Sequence, residues 1–158
     1  MTYGLRLTVI YSLVVVFLFI SGCSSKVVPL SDSSKGSDTG KRVVAISEQM
    51  LGSPYSYGGD SPEGFDCSGL VRYVYRQVGI EVPHSSQKLY QQSTKIPFNK
   101  LQPGDLLFFK IDFKTISHVG IFTESLNFIH ASSNGKKVKI SRRDSNYWSK
   151  RLAGAGRF

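Results

Sequence analysis

Cysteine is scarce in this chain of 158 residues: there are two, Cys23 and Cys67, beside one tryptophan, two methionines and three histidines. Two cysteines so far apart leave no ligand-spaced pair and no disulfide framework of the kind that staples small secreted folds. Acidic side chains are also few, 11 against 20 basic ones. No apolar run reaches the roughly 20 residues of a membrane-spanning helix, and no internal repeat is visible. The remaining composition is ordinary, with 41% hydrophobic and 12% aromatic residues. It suits a single domain with a real core and does not suit a disordered chain.

The first residues differ in kind from the rest. Met1 to Arg6 carries one basic side chain, Val9 to Ile20 is almost wholly apolar, and the run stops at Ser21-Gly22-Cys23. A basic start, a short apolar run and a small-residue end make a secretory signal. An uncleaved signal anchor is the alternative, although nothing continues the apolar run past Cys23. Ile20-Ser21-Gly22-Cys23 resembles the lipobox of bacterial lipoproteins. That resemblance implies cleavage before Cys23 and acylation of its thiol and new amine, with firm anchoring because each buried methylene contributes ~0.8 kcal/mol. Ser24, standing where Asp would retain a Gram-negative lipoprotein at the inner membrane, implies an outer-membrane address facing the periplasm. With Cys23 lipidated, Cys67 is the one free thiol and no internal disulfide can form. A lone thiol in an oxidising compartment is either a buried bystander or a functional group.

Residues 24–40 are rich in Ser, Gly, Asp and Lys and read as a flexible tether, with the folded domain expected over 41–158. Val43, Val44, Ile46, Met50 and Leu51 recur near helical spacing and meet a stop at Gly52-Ser53-Pro54. A glycine-punctuated loop follows from Tyr55 to Gly64. Asp66 stands where an N-cap belongs, Leu70, Val71, Val74 and Val78 share a helical face, and Gly79 closes that helix. Ser85 and Ser86 read as the start of another helix. Beyond the Pro103-Gly104 turn, the period changes to short strands at Asp105–Phe109, His118–Phe122, Asn127–Ala131 and Lys137–Ile140, with a last one available in Leu152–Phe158. Helices first and a mainly antiparallel sheet second make an α+β domain.

Cys67 falls in the first turn of the Asp66-capped helix. Free backbone N–H groups and the helix dipole favour an anion there, so the thiolate is expected to be stabilised and its pKa lowered. Ser68 and Gly69 are small enough to let a substrate approach. A thiolate nucleophile needs a base, and the base an orienting partner. If the strands beginning at His118 and Asn127 form a hairpin about Glu124, His118 and His130 face each other, Cβ atoms ~4.5–5.5 Å apart. A register slip of one residue would separate them. Each histidine singly is equally a satisfied polar residue near a sheet edge. The same three side chains also suit zinc, against which stands the lack of any further ligand-spaced residue.

Tyr55-Ser56-Tyr57-Gly58-Gly59, Gly64-Phe65-Asp66-Cys67-Ser68-Gly69-Leu70-Val71, Leu101-Gln102-Pro103-Gly104-Asp105-Leu106, His118-Val119-Gly120-Ile121 and Phe128-Ile129-His130-Ala131-Ser132 resemble, in order and spacing, the motifs of the NlpC-type cell-wall cysteine peptidases. The resemblance runs from Lys41 to Phe158. It implies a papain-like core, N-terminal helices packed on a mainly antiparallel sheet, and hydrolysis of stem-peptide bonds of peptidoglycan without metal or other cofactor. It makes Cys67 the nucleophile, His118 the general base and acid, His130 the orienting residue, and Tyr55 a donor to the oxyanion with the Cys67 N–H. Asp66 is read both as the cap and as a site for the substrate's amine. Ser68 and His84 are further candidates for the cleft wall, and each has the plain alternative of a small or exposed loop residue. From Lys41 onward the chain carries 17 basic and 9 acidic residues. Export and the absence of a recognition motif argue against nucleic acid, while carboxylate-rich peptidoglycan or anionic lipid fits the charge. The competing reading is a wall-binding lipoprotein without catalysis.

Overall fold

A computed structural model describes residues 33–158. The expected signal segment, Cys23 and the first part of the expected tether lie outside the described residues.

Helix α1 spans Ser33–Gln49 and ends on Gly52, whose φ of +87° turns the chain into the left-handed region. The expected boundary at Lys41 is therefore too late, because residues 33–40 belong to this helix. A Cβ on Gly40 would lie only 2.1 Å from the carbonyl oxygen of Pro103, so the helix packs directly on the Pro103-Gly104 turn. The glycine loop carries a short hairpin that its composition does not announce, β1 (Asp60–Ser61) against β2 (Gly64–Phe65). Helix α2 spans Cys67–Gln77 and opens on the Asp66 cap. It closes at Gly79, φ +83°, as the sequence indicates. Ser85 caps α3, Ser86–Gln92.

Strands β3 (Thr94–Lys95), β4 (Leu106–Phe109), β5 (His118–Phe122), β6 (Asn127–Ser132), β7 (Lys137–Arg142) and β8 (Leu152–Arg157) form one antiparallel sheet in the order β3-β8-β4-β5-β6-β7. A four-residue helix, α4 (Asn146–Ser149), precedes β8 under the Ser145 cap. This is the α+β arrangement that the periodicity predicts.

The apolar run of β4 is buried on both faces, which is why it does not alternate. Leu106 and Phe108 join Val119, Ile121, Ile129 and Ala131 under the α2 residues Leu70, Val71 and Val74. Leu107 and Phe109 join Phe122, Phe128 and Ala155 on the opposite face, which Trp148 helps to cover. Helix α2 lies along the first of these faces, and Cys67 at its start meets the Val119 N–H near the start of β5.

The β5–β6 hairpin departs from its expected register. Ile121 pairs with Ile129 and Phe122 with Phe128, and the Thr123 N–H donates to the Asn127 carbonyl. The loop therefore centres on Ser125, held at φ +54°, and not on Glu124. His118 and His130 become diagonal neighbours instead of directly opposed ones. The shift is by two in the pairing, so both remain on one face of the sheet.

The loop meets α2 at one tight point. A Cβ on Gly69 would stand 2.0 Å from the Gly59 carbonyl oxygen and 3.0 Å from His84 Nε2. The glycine is thus required by backbone packing. Gly69→Ala should cost about 1–3 kcal/mol through overpacking. Thermal unfolding of the variant should show a transition several degrees lower; an unchanged midpoint would mean that the loop can move aside freely.

Candidate active site

Asp66 organises the start of α2. Its Oδ1 accepts from the Gly69 N–H at 2.7 Å and the Ser68 hydroxyl at 2.9 Å, and His84 Nε2 lies 3.1 Å away. Its Oδ2 accepts from the Gly58 N–H at 3.0 Å. Burial alone would raise this carboxyl, but the Gly69 N–H, the Ser68 hydroxyl and His84 hold it below the ordinary carboxylate range. Ser68, named from sequence as a substrate contact, is buried and turns its hydroxyl to Asp66. His84 joins the cluster from the segment before α3, which the sequence could not place.

Cys67 is the first residue of α2, and its thiol takes the Val119 N–H as well as the N–H groups of its own turn. That donor is available because β5 and β6 are paired only at 121 and 122, and the ladder opens toward His118. The expected depression of the thiol pKa is not found. Burial pushes it up to about 11, and the Asp66 carboxylate pushes in the same direction. The helix-start N–H groups act downward but are outweighed. Tyr55 stands close enough to be shifted in turn: burial first, then the charges of Cys67 and Asp66, raise its phenol.

The two histidines meet despite the changed register. His118 Nε2 lies 2.9 Å from His130 Nδ1, and His130 Nε2 lies 3.0 Å from Ser141 Oγ. These contacts engage three of the four ring nitrogens. Among the described residues no three His, Cys, Asp or Glu side chains are grouped to hold a metal ion. The relay has two consistent polarities. When Ser141 accepts from His130 Nε2–H, His130 Nδ1 accepts from His118 Nε2–H, and His118 Nδ1 keeps a lone pair. The reverse polarity puts the proton on His118 Nδ1.

Aromatic rings enclose the pair. Trp148 stacks on His118 with centroids 5.3 Å apart and an interplanar angle of 24°, and meets His130 edge-on at 4.9 Å. Phe128 lies 5.0 Å from the His130 ring. Burial lowers the His118 pKa to about 4, opposed only by Asp66, and lowers His130 further, helped by His118 and Lys139. Both rings are therefore neutral near pH 7. A cavity of about 350 Å³ opens beside them, lined also by Ser132, Lys139 and Tyr147. Trp148 and Ser141 are the two members that sequence reasoning did not find. Ser141 had a discoverable signal, since extending the expected strand Lys137–Ile140 by one residue places it diagonal to His130 across the β6–β7 ladder.

A thiol whose pKa burial raises has a kinetic signature. Alkylation of Cys67 by iodoacetamide should climb about tenfold per pH unit through pH 8 to 10, as the thiolate fraction grows toward its pKa. A plateau between pH 5 and 8 would instead reveal a preformed thiolate–imidazolium pair.

Residues 52–157 match the model of the NlpC/P60 family. The gamma-DL-glutamyl hydrolase of Bacillus subtilis is 42% identical over 119 residues, covering 73% of this chain and 29% of that protein. The chain thus spans under a third of this curated relative. An NlpC/P60 family protein from Bacillus cereus superposes with a TM-score of 0.72 at 30% identity, over 75% of this chain and 40% of the other. The NlpC/p60 domain of the peptidoglycan hydrolase SagA superposes with a TM-score of 0.66 at 34% identity, over 75% of this chain and 98% of that domain. With more than half its length matched by one family model and the fold in agreement, the chain belongs to the NlpC/P60 family.

Proposed function

We propose that the protein is a peptidoglycan hydrolase, a cysteine endopeptidase that cuts stem-peptide bonds and is anchored in the bacterial envelope by lipid on Cys23. The observation that carries the catalytic reading is the His118–His130–Ser141 relay, set where the Cys67 thiol meets the start of β5. Family membership and the names of its relatives support the substrate class. Among stem-peptide bonds, a γ-glutamyl link is the one suggested by the name of the Bacillus subtilis relative, a gamma-DL-glutamyl hydrolase.

In this mechanism the relay adopts the polarity that leaves the lone pair on His118 Nδ1. That nitrogen takes the Cys67 proton as sulfur attacks the scissile carbonyl, and the C–S bond forms while the carbonyl π pair moves onto oxygen. Concerted transfer suits this pair, because neither partner carries charge at rest. The Cys67 N–H and the Tyr55 hydroxyl stabilise the oxyanion. Collapse breaks the C–N bond, and the proton on His118 goes to the leaving amine. Water, deprotonated by His118, then attacks the thioester and restores the thiol. His130 and Ser141 act through His118 and are positioning residues. Asp66 keeps room on Oδ2, which accepts a single N–H, for the cationic amine of a stem peptide. His84 supports Asp66 from the other side.

Two measurements test the reading. Purified peptidoglycan digested by the full chain should yield fragments, identified by mass, that are missing with Cys67→Ala; equal fragment patterns would instead support a wall-binding lipoprotein without catalysis. Ser141→Ala should lower kcat by about tenfold or more with KM nearly unchanged, as for other loss of support behind a working histidine. Ser141→Thr should recover most of it. A matching fall in thermal stability with both substitutions would reduce Ser141 to a packing role.

A further inference from the structure

A second groove, of about 640 Å³, lies between α3, the β4–β5 connection and the start of β8. Lys110, Lys114, Lys150 and Arg151 line it, and no lining residue is acidic. The ion pairs of the described residues use Arg72, His84, Arg142 and Arg157, none of which borders this groove. The basic excess of the chain is therefore concentrated here; the nearby carboxylate is Asp112, which accepts the Lys114 N–H and feels that side chain's charge, and it offsets one of the four cations at most.

Arg151 is built in with unusual care for a surface cation. Its Nη1 donates to the Tyr147 carbonyl at 2.9 Å, and its Nε donates to the Ile111 carbonyl at 3.4 Å. Its guanidinium lies 3.9 Å from the Tyr147 ring centre and 4.6 Å from that of Phe113. Phe113 reaches this place with φ +63°, a strained backbone for an aromatic residue, and is 59% exposed. Tyr147 and Ile111 also line the cavity beside His118 and His130. The Arg151–Tyr147 stack is thus a ridge shared by the two depressions, with the histidines on one side and the lysines on the other.

We propose that this groove is an exosite for the same substrate polymer, binding carboxylates of stem peptides adjacent to the one being cut. The inference rests on the peptidase reading and extends it. Carboxylates recur along such a polymer, a cleft lined by one sign of charge concentrates them, and guanidinium and ammonium groups pair with them directly. The exposed Phe113 and Tyr147 rings offer faces for the apolar stretches between charges.

The test uses the full chain with Lys114→Glu and Lys150→Glu together; both side chains are exposed, so the fold should tolerate the change. Turnover of intact peptidoglycan at low salt should fall roughly tenfold and lose most of its salt dependence, the scale expected of electrostatic steering. Turnover of a soluble single stem peptide should stay within about twofold, and the Lys→Arg double variant should behave as wild type. Equal loss on both substrates, or loss on neither, would overturn the exosite. So would intact wall digestion coupled to lost binding of vesicles containing anionic phospholipid, which would make the groove a membrane contact. Co-sedimentation with peptidoglycan, measured in the Cys67→Ala background, reads the groove independently of catalysis. If the wild type cuts neither substrate, the peptidase reading fails, while weaker sedimentation of the charge-reversed form still supports the groove and unchanged sedimentation refutes it.

Discussion

Four polar groups converge on the Asp66 carboxylate, and the placement of everything around the thiol follows from that convergence. One oxygen caps α2 and thereby fixes the first turn that carries Cys67. The other holds the Gly58 N–H and so pins the loop leading from Tyr55. The His84 contact draws the segment before α3 to the same point. A carboxylate kept ionised by these partners is a fixed negative charge beside the thiol, and it belongs to the architecture before it belongs to any chemistry.

That charge explains why the helix start does not behave as a simple thiolate trap. Burial and Asp66 both act against ionisation of Cys67, and together they outweigh the N–H groups at the end of the helix. On the opposite side, Trp148, Phe109 and Phe128 wall in the two imidazoles and keep them uncharged. The site at rest therefore holds one permanent charge near two neutral partners. A thiol kept protonated in this way is a poor nucleophile at rest, because the thiolate is the reactive form.

Local chemistry made much of this readable in the chain. The Asp66 cap, the glycine that ends α2, the Ser85 cap and the strand at His118 are all signalled within a few residues, and each forms as expected. The hairpin register is not legible in the chain because Ser125 adopts the left-handed turn position without being Gly or Asn, the residues that advertise it. Residues 33–40 read as tether because their anchor is distant: Gly40 meets Pro103, more than sixty positions away. Trp148 escaped notice for a related reason. It sits on a four-residue helix with no periodic pattern, yet tertiary packing brings it over both histidines. The direction of the Cys67 shift was missed because depth of burial is a property of the whole fold and not of the helix end.

Strand order carries one more consequence. β8, formed from residues 152–157, lies inside the sheet between β3 and β4, tied by Arg157 to Asp105 while Tyr75 holds the adjoining Gly104 carbonyl. Until that strand is in place, β3 has no neighbour and β4 presents a bare edge. The stretch from α1 to β7 can collapse but cannot complete its sheet, and closing it joins residues some fifty positions apart. Closure of the sheet thus waits on β8, which must reach its slot between two strands that precede it in the chain.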